Sequence, residues 1–302
     1  MVKVAFPNLG ISEFILDPVA FSLFGLEVRW YGLVIVTGMI AAFFYARFRA
    51  HMEGIDDDNL LDFFLFAVIF GVIGARFYYV VTSLDQYDSI GEMFAIWNGG
   101  LGIYGGIIFG AAAVIGVSIH KKIPFMRALD MASLPVMIGQ TVGRWGNFFN
   151  GEAFGHTDKF ELFGLVAKTP GAEKLPWIMQ VNSYASDYET VLVHPTFLYE
   201  SVWNLIGFVI INALYKRKKF DGQVMFMYVG WYGLGRMFIE ALRADSLRVG
   251  GVKISQLVGL LAFLASAVAL TYMLIKKRNS PSMFEGRVKE NKTEEDQNGT
   301  DN

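Results

Sequence analysis

The sequence predicts an all-α, polytopic membrane protein of about seven transmembrane helices, with the N-terminus outside and the C-terminus cytoplasmic. Three observations predict it. Apolar residues gather in runs of about 20, separated by short polar stretches, which is the spacing a bilayer imposes. Charged residues make up only 18% of the chain and hydrophobic ones 54%, where a soluble domain carries roughly 25% charged residues. Lys and Arg collect in alternate loops between the runs, as the positive-inside rule requires.

Taken in order, the runs are Trp30–Phe48, Leu60–Val81, Gly100–Ile119, Phe125–Val142, Pro195–Tyr215, Gln223–Leu242 and Ser255–Ile275. The fourth opens with Arg127 and Asp130 and contains Pro135, so it is expected to be kinked, short or partly buried against protein. Arg47 and Arg49, then Lys121, Lys122 and Arg127, then Lys216 to Lys219, then Lys276 to Arg278 place four loops on the cytoplasmic side. The loop from Ser83 to Asn98 has no Lys or Arg, and the long 144–193 stretch has few, so both face outward. Only Lys3 precedes a mixed N-terminal stretch, which predicts no removable signal peptide and makes the first span the insertion signal. Residues 1–278 are expected to form one seven-helix catalytic domain. From Asn279 to Asn302 the chain is polar with one aromatic, a composition that predicts a disordered cytoplasmic tail. The Asn291 and Asn298 sequons in that tail carry no weight on a cytoplasmic side.

The formal net charge is -2 with no large basic block, which argues against a nucleic-acid partner. There are no cysteines, so disulfides, thiolate metal sites and a cysteine nucleophile are excluded for this chain. Nothing in the sequence points to a metal or an organic cofactor.

Several charged residues fall inside the runs. Tyr232, Arg236, Glu240 and Arg243 lie at offsets of zero, four, eight and eleven. At about 100° per residue they share one helix face within roughly 80°. An Arg at the bilayer centre costs at least about 2.5–3.5 kcal/mol, so this stripe must face a protein-lined cavity. It is either an Arg236–Glu240 ion pair that locks the bundle or, because the second arginine leaves it positive, a site for an anion. Arg76 follows Gly71, Gly74 and Ala75 in the second run, where it either contacts substrate or snorkels to the outer surface. The fifth run opens with His194-Pro195, placing a titratable imidazole at its outer end, and carries Glu200 and Asn204 at i,i+4. His51 and His120 fall in cytoplasmic loops as ordinary surface residues.

The densest polar segment runs from Gly143 through Arg144, Trp145, Gly146, Asn147, Phe148, Phe149, Asn150, Gly151 and Glu152 to Gly155, at the outward end of the fourth run. Its glycines let backbone approach a ligand closely, and Arg144, Asn147, Asn150 and Glu152 supply a guanidinium fork, two amides and a carboxylate. A second glycine-rich stretch, Asn98 to Gly106, opens the third run and contains Tyr104. Arginines and amides with an outward opening suit an anionic headgroup, most simply a phosphate.

These motifs resemble the bacterial phosphatidylglycerol–prolipoprotein diacylglyceryl transferases. The resemblance rests on Gly143–Glu152 together with Trp30-Tyr31-Gly32-Leu33, the stretch from His194 to Glu200, and Tyr232 through Arg243, in the family order across nearly the whole chain. It implies a multi-pass protein of the bacterial plasma membrane. It also implies transfer of a diacylglyceryl group from phosphatidylglycerol to the lipobox cysteine thiol of a preprolipoprotein, forming a thioether and releasing glycerol phosphate. Tyr31, Arg144, Asn147, Glu152, Gly155, Arg236 and Glu240 correspond to residues the family uses.

One position departs from the family. Many members have a histidine, proposed as general base, where this sequence has Tyr104, and a phenol of pKa about 10 is a poor base at neutral pH. A cysteine thiol of pKa about 8.5 is already a few per cent thiolate at pH 7, and nearby arginines lower that pKa. The expectation is therefore that Arg144 and Arg236 clamp the lipid phosphate and stabilise the departing charge. His194 and Tyr104 are the candidate proton acceptors, Glu152 and Glu240 orient arginines, and Asn147, Asn150, Gly155, Tyr31, Tyr232, Arg243 and Arg76 contact substrate. An anion or lipid transporter would also need buried arginines, but the chain shows no convincing internal repeat. A seven-span receptor would not need amides and arginines converging at one membrane depth.

Overall fold

Each of the seven runs coincides with a long helix in the computed structural model, which describes residues 1–87, 89–96, 99–244 and 246–284. The helices are α1 (Trp30–Glu53), α2 (Asp57–Thr82), the short α3 (Ile90–Phe94), α4 (Ile103–His120), α5 (Phe125–Asn150), α6 (Thr196–Leu214), α7 (Gln223–Ile239) and α8 (Ile254–Lys276). Five of them, α1, α2, α4, α6 and α8, are long and apolar enough to cross a membrane. The chain is thus a multi-pass α-helical membrane protein. α7 is only 17 residues long, and α5 carries Arg127, Asp130 and Arg144, so these two fall short on length and hydropathy.

α5 runs eight residues past the predicted end at Val142, through Asn150. It stops at Gly151, which takes a φ of +60°, a left-handed turn that suits glycine. Pro135 lies inside this helix. The Gly143–Asn150 motif is accordingly the last two turns of a helix, which fixes the directions of its side chains.

Short strands lie ahead of and between these helices: β1 (Val2–Phe6), β2 (Ile11–Leu16), β3 (Val19–Leu23), β4 (Leu26–Arg29), β5 (Gly155–His156), β6 (Lys159–Leu162), β7 (Leu165–Lys168), β8 (Met179–Asn182), β9 (Val191–His194), β10 (Arg248–Val249) and β11 (Val252–Lys253). The chain divides into two compact units. One comprises Met1–Ala42 and Ser133–Asn302, the other Phe43–Ala132.

In the first unit a five-stranded sheet has the order β2-β1-β8-β9-β5. Its pairs are antiparallel, with Lys3 opposite Asn182 and Gly155 opposite His194. Alternation puts Val2 and Val4 of β1 inside, against Met179, Val181, Val193 and Phe197. The N-terminal segment therefore joins the 151–194 stretch in one layered element beside the C-terminal end of α5 and the N-terminal end of α6. In the same unit α7 packs along α8 and against α6.

The second unit is built on α2 and α4, whose backbones touch. A Cβ on Gly105 would fall 2.1 Å from the Gly74 carbonyl oxygen, and one on Gly74 would fall 2.3 Å from Phe109 Cβ. Such contact is available only to small residues, the usual device for joining helices in lipid. Ala46, Leu60, Phe63, Val117, Ala128 and Met131 close the core of this unit. Arg47–Asp57 and Lys121–Asp62, each at 2.6 Å, tie its polar end.

The first residues of the predicted tail are ordered. The Met283 N–H donates to the Lys218 carbonyl at 2.8 Å and the Phe284 ring lies 6.0 Å from that of Tyr215. Phe284 is the tail's single aromatic, and burial against the fully covered Tyr215 anchors it. The remainder of the predicted tail lies outside the described residues, as do its two sequons and Asn98.

A candidate arginine–carboxylate site

The interlock between α6 and α7 sets the site. Trp203 and Trp231 stack with ring centroids 4.5 Å apart. Each indole N–H donates to the other residue's carbonyl at 2.9 Å. The rings fit because they lie over glycines: a Cβ on Gly235 would fall 2.2 Å from Trp203 Nε1, and one on Gly207 would fall 2.3 Å from Trp231 Nε1. Two large rigid side chains held by paired hydrogen bonds fix the register of the two helices. One turn before Trp203 on α6 is Glu200, and one residue past Gly235 on α7 is Arg236.

Glu200 is 3% exposed and takes three arginines. Its Oε1 lies 2.8 Å from Arg236 Nη1 and 3.4 Å from Arg243 Nη1, and its Oε2 lies 2.6 Å from Arg144 Nη2. Glu240, 2% exposed, accepts from Arg236 Nη2 at 2.5 Å and has Arg243 Nε at 3.9 Å. The Arg236–Glu240 pair anticipated from i,i+4 spacing is thus present, within a larger cluster of three guanidiniums and two carboxylates. With both carboxylates ionised the cluster keeps one net positive charge, in surroundings where removing an ion from water is expensive. That combination favours an anion.

The turn after α7, which carries Glu240 and Arg243, is tied at every carbonyl. The Glu161 N–H donates to Ala241 at 2.9 Å and the His156 N–H to Leu242 at 2.8 Å. Lys253 Nζ donates to the carbonyls of both Glu240 and Arg243 at 2.8 Å. An ammonium at this end of α7 also complements the helix dipole. Lys253 is 1% exposed, and burial is the main cause that pushes its pKa below the ordinary lysine value. Arg248 forks onto both oxygens of Glu161, the second at 2.6 Å, and holds that carboxyl below the usual carboxylate range.

Gly155 lies at the seam between this turn and β9. A Cβ there would meet the Leu242 carbonyl at 3.0 Å and His194 Cβ at 3.1 Å. Close packing is therefore sufficient reason for glycine at 155. His194 is buried, and its Nδ1 lies 2.8 Å from the Tyr199 hydroxyl. Burial pushes its pKa below the ordinary histidine value, which keeps the imidazole neutral at pH 7. Among the described contacts, none joins His194 to the arginine cluster.

At the C-terminal end of α5, the Tyr31 ring covers Gly146, where a Cβ would fall 2.7 Å from the ring, and Trp30 stacks on Phe149 at 5.3 Å. Arg144 lies two residues before Gly146 and points to Glu200, with Trp145 Nε1 donating to Ser201 at 3.2 Å. Past the helix end, the Glu152 N–H donates to the Asn147 carbonyl at 3.0 Å and Asn150 Nδ2 to Glu152 Oε1 at 3.1 Å. Tyr232 lines a small cavity together with Glu200, Asn204 and Arg236.

Two expected site residues belong to the other unit. Arg76 directs all five guanidinium N–H groups to backbone carbonyls: Nε to Met93, Nη1 to Gly99 and Gly100, Nη2 to Glu92 and Ala95, at 2.7–3.3 Å. Every guanidinium N–H of Arg76 is thus engaged by a backbone carbonyl of residues 92, 93, 95, 99 or 100. Tyr104 lies on α4 with its ring 6.1 Å from that of Tyr78.

The structure thus gathers Arg144, Arg236, Glu240 and Arg243 around Glu200, whose central place the sequence did not signal. Lys253 gave no signal either, since a lone lysine ahead of an apolar run looks like a membrane-edge cation. Among the described residues, no group of three or more His, Asp or Glu side chains is placed to hold a metal.

Known proteins resemble this chain along most of its length. Residues 18–272 match the family model described as prolipoprotein diacylglyceryl transferase. A Clostridium kluyveri protein named phosphatidylglycerol–prolipoprotein diacylglyceryl transferase is 40% identical over 260 residues, which is 85% of this chain and 97% of that protein. A Streptococcus pneumoniae protein of the same name is 43% identical over 245 residues, 80% of this chain and 88% of that one.

Proposed function

The chain belongs to the prolipoprotein diacylglyceryl transferase family, and from that premise we propose how its arginine cluster carries out the transfer. The enzyme moves a diacylglyceryl group from phosphatidylglycerol to a prolipoprotein. The acceptor is the lipobox cysteine thiol, and the chain, which has no cysteine, supplies no competing one. Sulfur attacks the glyceryl carbon that bears the phosphate ester. The C–S bond forms as the C–O bond breaks, and glycerol phosphate leaves with the electron pair.

The observation that carries this mechanism is the cluster of Arg144, Arg236 and Arg243 around Glu200 and Glu240. Preorganised guanidiniums aimed at developing negative charge usually lower the barrier of such a reaction more than any other single effect. Arg144 and Arg236 grip the phosphodiester and stabilise the leaving phosphate, while Glu200 and Glu240 hold the arginines in place. Arg243, Tyr232, Tyr31, Asn147 and Asn150 line the approach, and Glu152 orients Asn150. The net positive charge lowers the pKa of the incoming thiol, so a strong base is unnecessary. The thiol proton passes to His194, which is neutral. The protein works in a bacterial plasma membrane with seven spans, N-terminus outside and C-terminus inside, and residues 1–278 act together as the catalytic domain.

The test is to incubate purified protein in detergent with phosphatidylglycerol and a lipobox peptide, following glycerol phosphate release and peptide mass. Release that requires the peptide cysteine, with the diacylglyceryl mass gain, is expected. Arg144→Ala and Arg236→Ala are each expected to abolish it; normal turnover in Arg144→Ala overturns the two-arginine clamp.

A further inference from the structure

Asn204 has no assigned role, yet it lies at the heart of the cluster. It sits one helical turn beyond Glu200 on the same face of α6 and is 1% exposed. It lines the cavity that also touches Glu200, Tyr232 and Arg236. Its Oδ1 is buried with no hydrogen-bond partner among the described residues. Buried amide oxygens are nearly always bonded, because leaving one dry forfeits the water it had. An acceptor with no protein donor, beside the arginines that grip a phosphate, is placed to take a donor from the ligand.

The surrounding charge selects the donor. An ammonium headgroup could also donate to Oδ1, but three guanidiniums against two carboxylates repel a cation here. A neutral hydroxyl meets no such penalty. Beside the amide, the Trp203 indole N–H is committed to the Trp231 carbonyl and Ile239 carries no polar group.

We propose that Asn204 is a specificity-determining residue whose Oδ1 accepts a hydrogen bond from a hydroxyl of the donor lipid's headgroup. This rests on the transferase function proposed above. Together with the net positive charge it selects a hydroxylated anionic headgroup over a zwitterionic one or a bare alkyl phosphodiester. A water held by Asn204 satisfies the same acceptor without reading the headgroup, and the experiment separates the two.

Peptide-dependent transfer is measured for wild type, Asn204→Leu and Asn204→Ala with two donors, phosphatidylglycerol and phosphatidylpropanol, whose headgroup has the same carbons and no free hydroxyl. Wild type is expected to prefer phosphatidylglycerol in kcat/KM by about tenfold, the worth of one hydrogen bond to an otherwise unfilled acceptor. In Asn204→Leu that preference is expected to fall to about one. Asn204→Ala reads the same ratio should the leucine variant not fold. A wild type that does not discriminate, or variants that lose both activities in equal measure, overturns the proposal; the latter marks a structural water. Absence of transfer by wild type with either lipid overturns the transferase function itself and this proposal with it.

Discussion

Replacing Glu200 with Gln removes one charge and almost no volume from the centre of the arginine cluster. The carboxylate is 3% exposed and lies 2.6, 2.8 and 3.4 Å from guanidinium nitrogens of Arg144, Arg236 and Arg243. Glutamine offers one acceptor oxygen where there were two, and turns an NH₂ toward N–H donors. Removing one partner of a buried ion pair costs about 3–5 kcal/mol. Arg236 retains Glu240 at 2.5 Å, so the lower end of that range, about 3 kcal/mol, is expected. Arg144 has no other carboxylate partner among the described residues and suffers most. Net charge in the cluster rises by one, which strengthens attraction for a phosphate while its grip loses geometry. The expected outcome is a lower melting temperature in detergent and a kcat reduced at least about tenfold, with KM for phosphatidylglycerol unchanged or lower. Glu200→Asp keeps the charge and should fall between the two. If Glu200→Gln melts with the wild type and turns over at its rate, the carboxylate does not hold the arginines, and its role as their anchor is refuted.

Gly235→Ala drives a methyl to 2.2 Å from Trp203 Nε1, and overpacking of this kind costs about 1–3 kcal/mol; a lowered melting temperature and a changed tryptophan emission should report the broken indole pair. Lys253→Met takes an ammonium from the Glu240 and Arg243 carbonyls, bonds worth about 1.5–3 kcal/mol each before the relief of burying a charge, and steady-state kinetics should show kcat falling with KM little altered. Acid stability is expected to depend on Glu161, whose carboxyl is held below its ordinary 4.5 by Arg248. The unfolded chain then takes up the proton first, so the pair's contribution is present above about pH 4.5 and lost as pH falls through the folded value. Melting temperature against pH should show that acid limb flattened in Glu161→Gln. Arg76→Gln strips bonds from the carbonyls of Glu92, Met93 and Gly99, and limited proteolysis should cut beside these residues faster than in wild type while α2 and α4 stay intact.

Much of the helical scaffold can be read from local sequence. Runs such as 60–81 and 255–275 are apolar over a bilayer's thickness, and α2 and α8 coincide with them to within a few residues. The Tyr232–Arg243 stripe was legible for a related reason, since a charged face in an apolar run has no stable place but a polar interior. Strand pairing was not legible. Residues 2–6 reach across the chain to residues 179–182, and a contact between such distant segments leaves no local periodicity. The end of α5 was misplaced because polar residues in the 143–150 segment look like loop, while the helix they continue is held by Tyr31 on Gly146 and Trp30 on Phe149.

Hydropathy and short motifs are local properties of a chain, and they suffice to put this protein in a membrane, to bury its arginines and to assign its family. What each arginine does is a different matter, settled by neighbours that folding supplies. Arg76 is spent on five carbonyls, Glu200 becomes the partner of three guanidiniums, and Lys253 comes under the end of α7. A buried charge takes its role from whatever compensates it, and here the compensating groups come from distant parts of the chain.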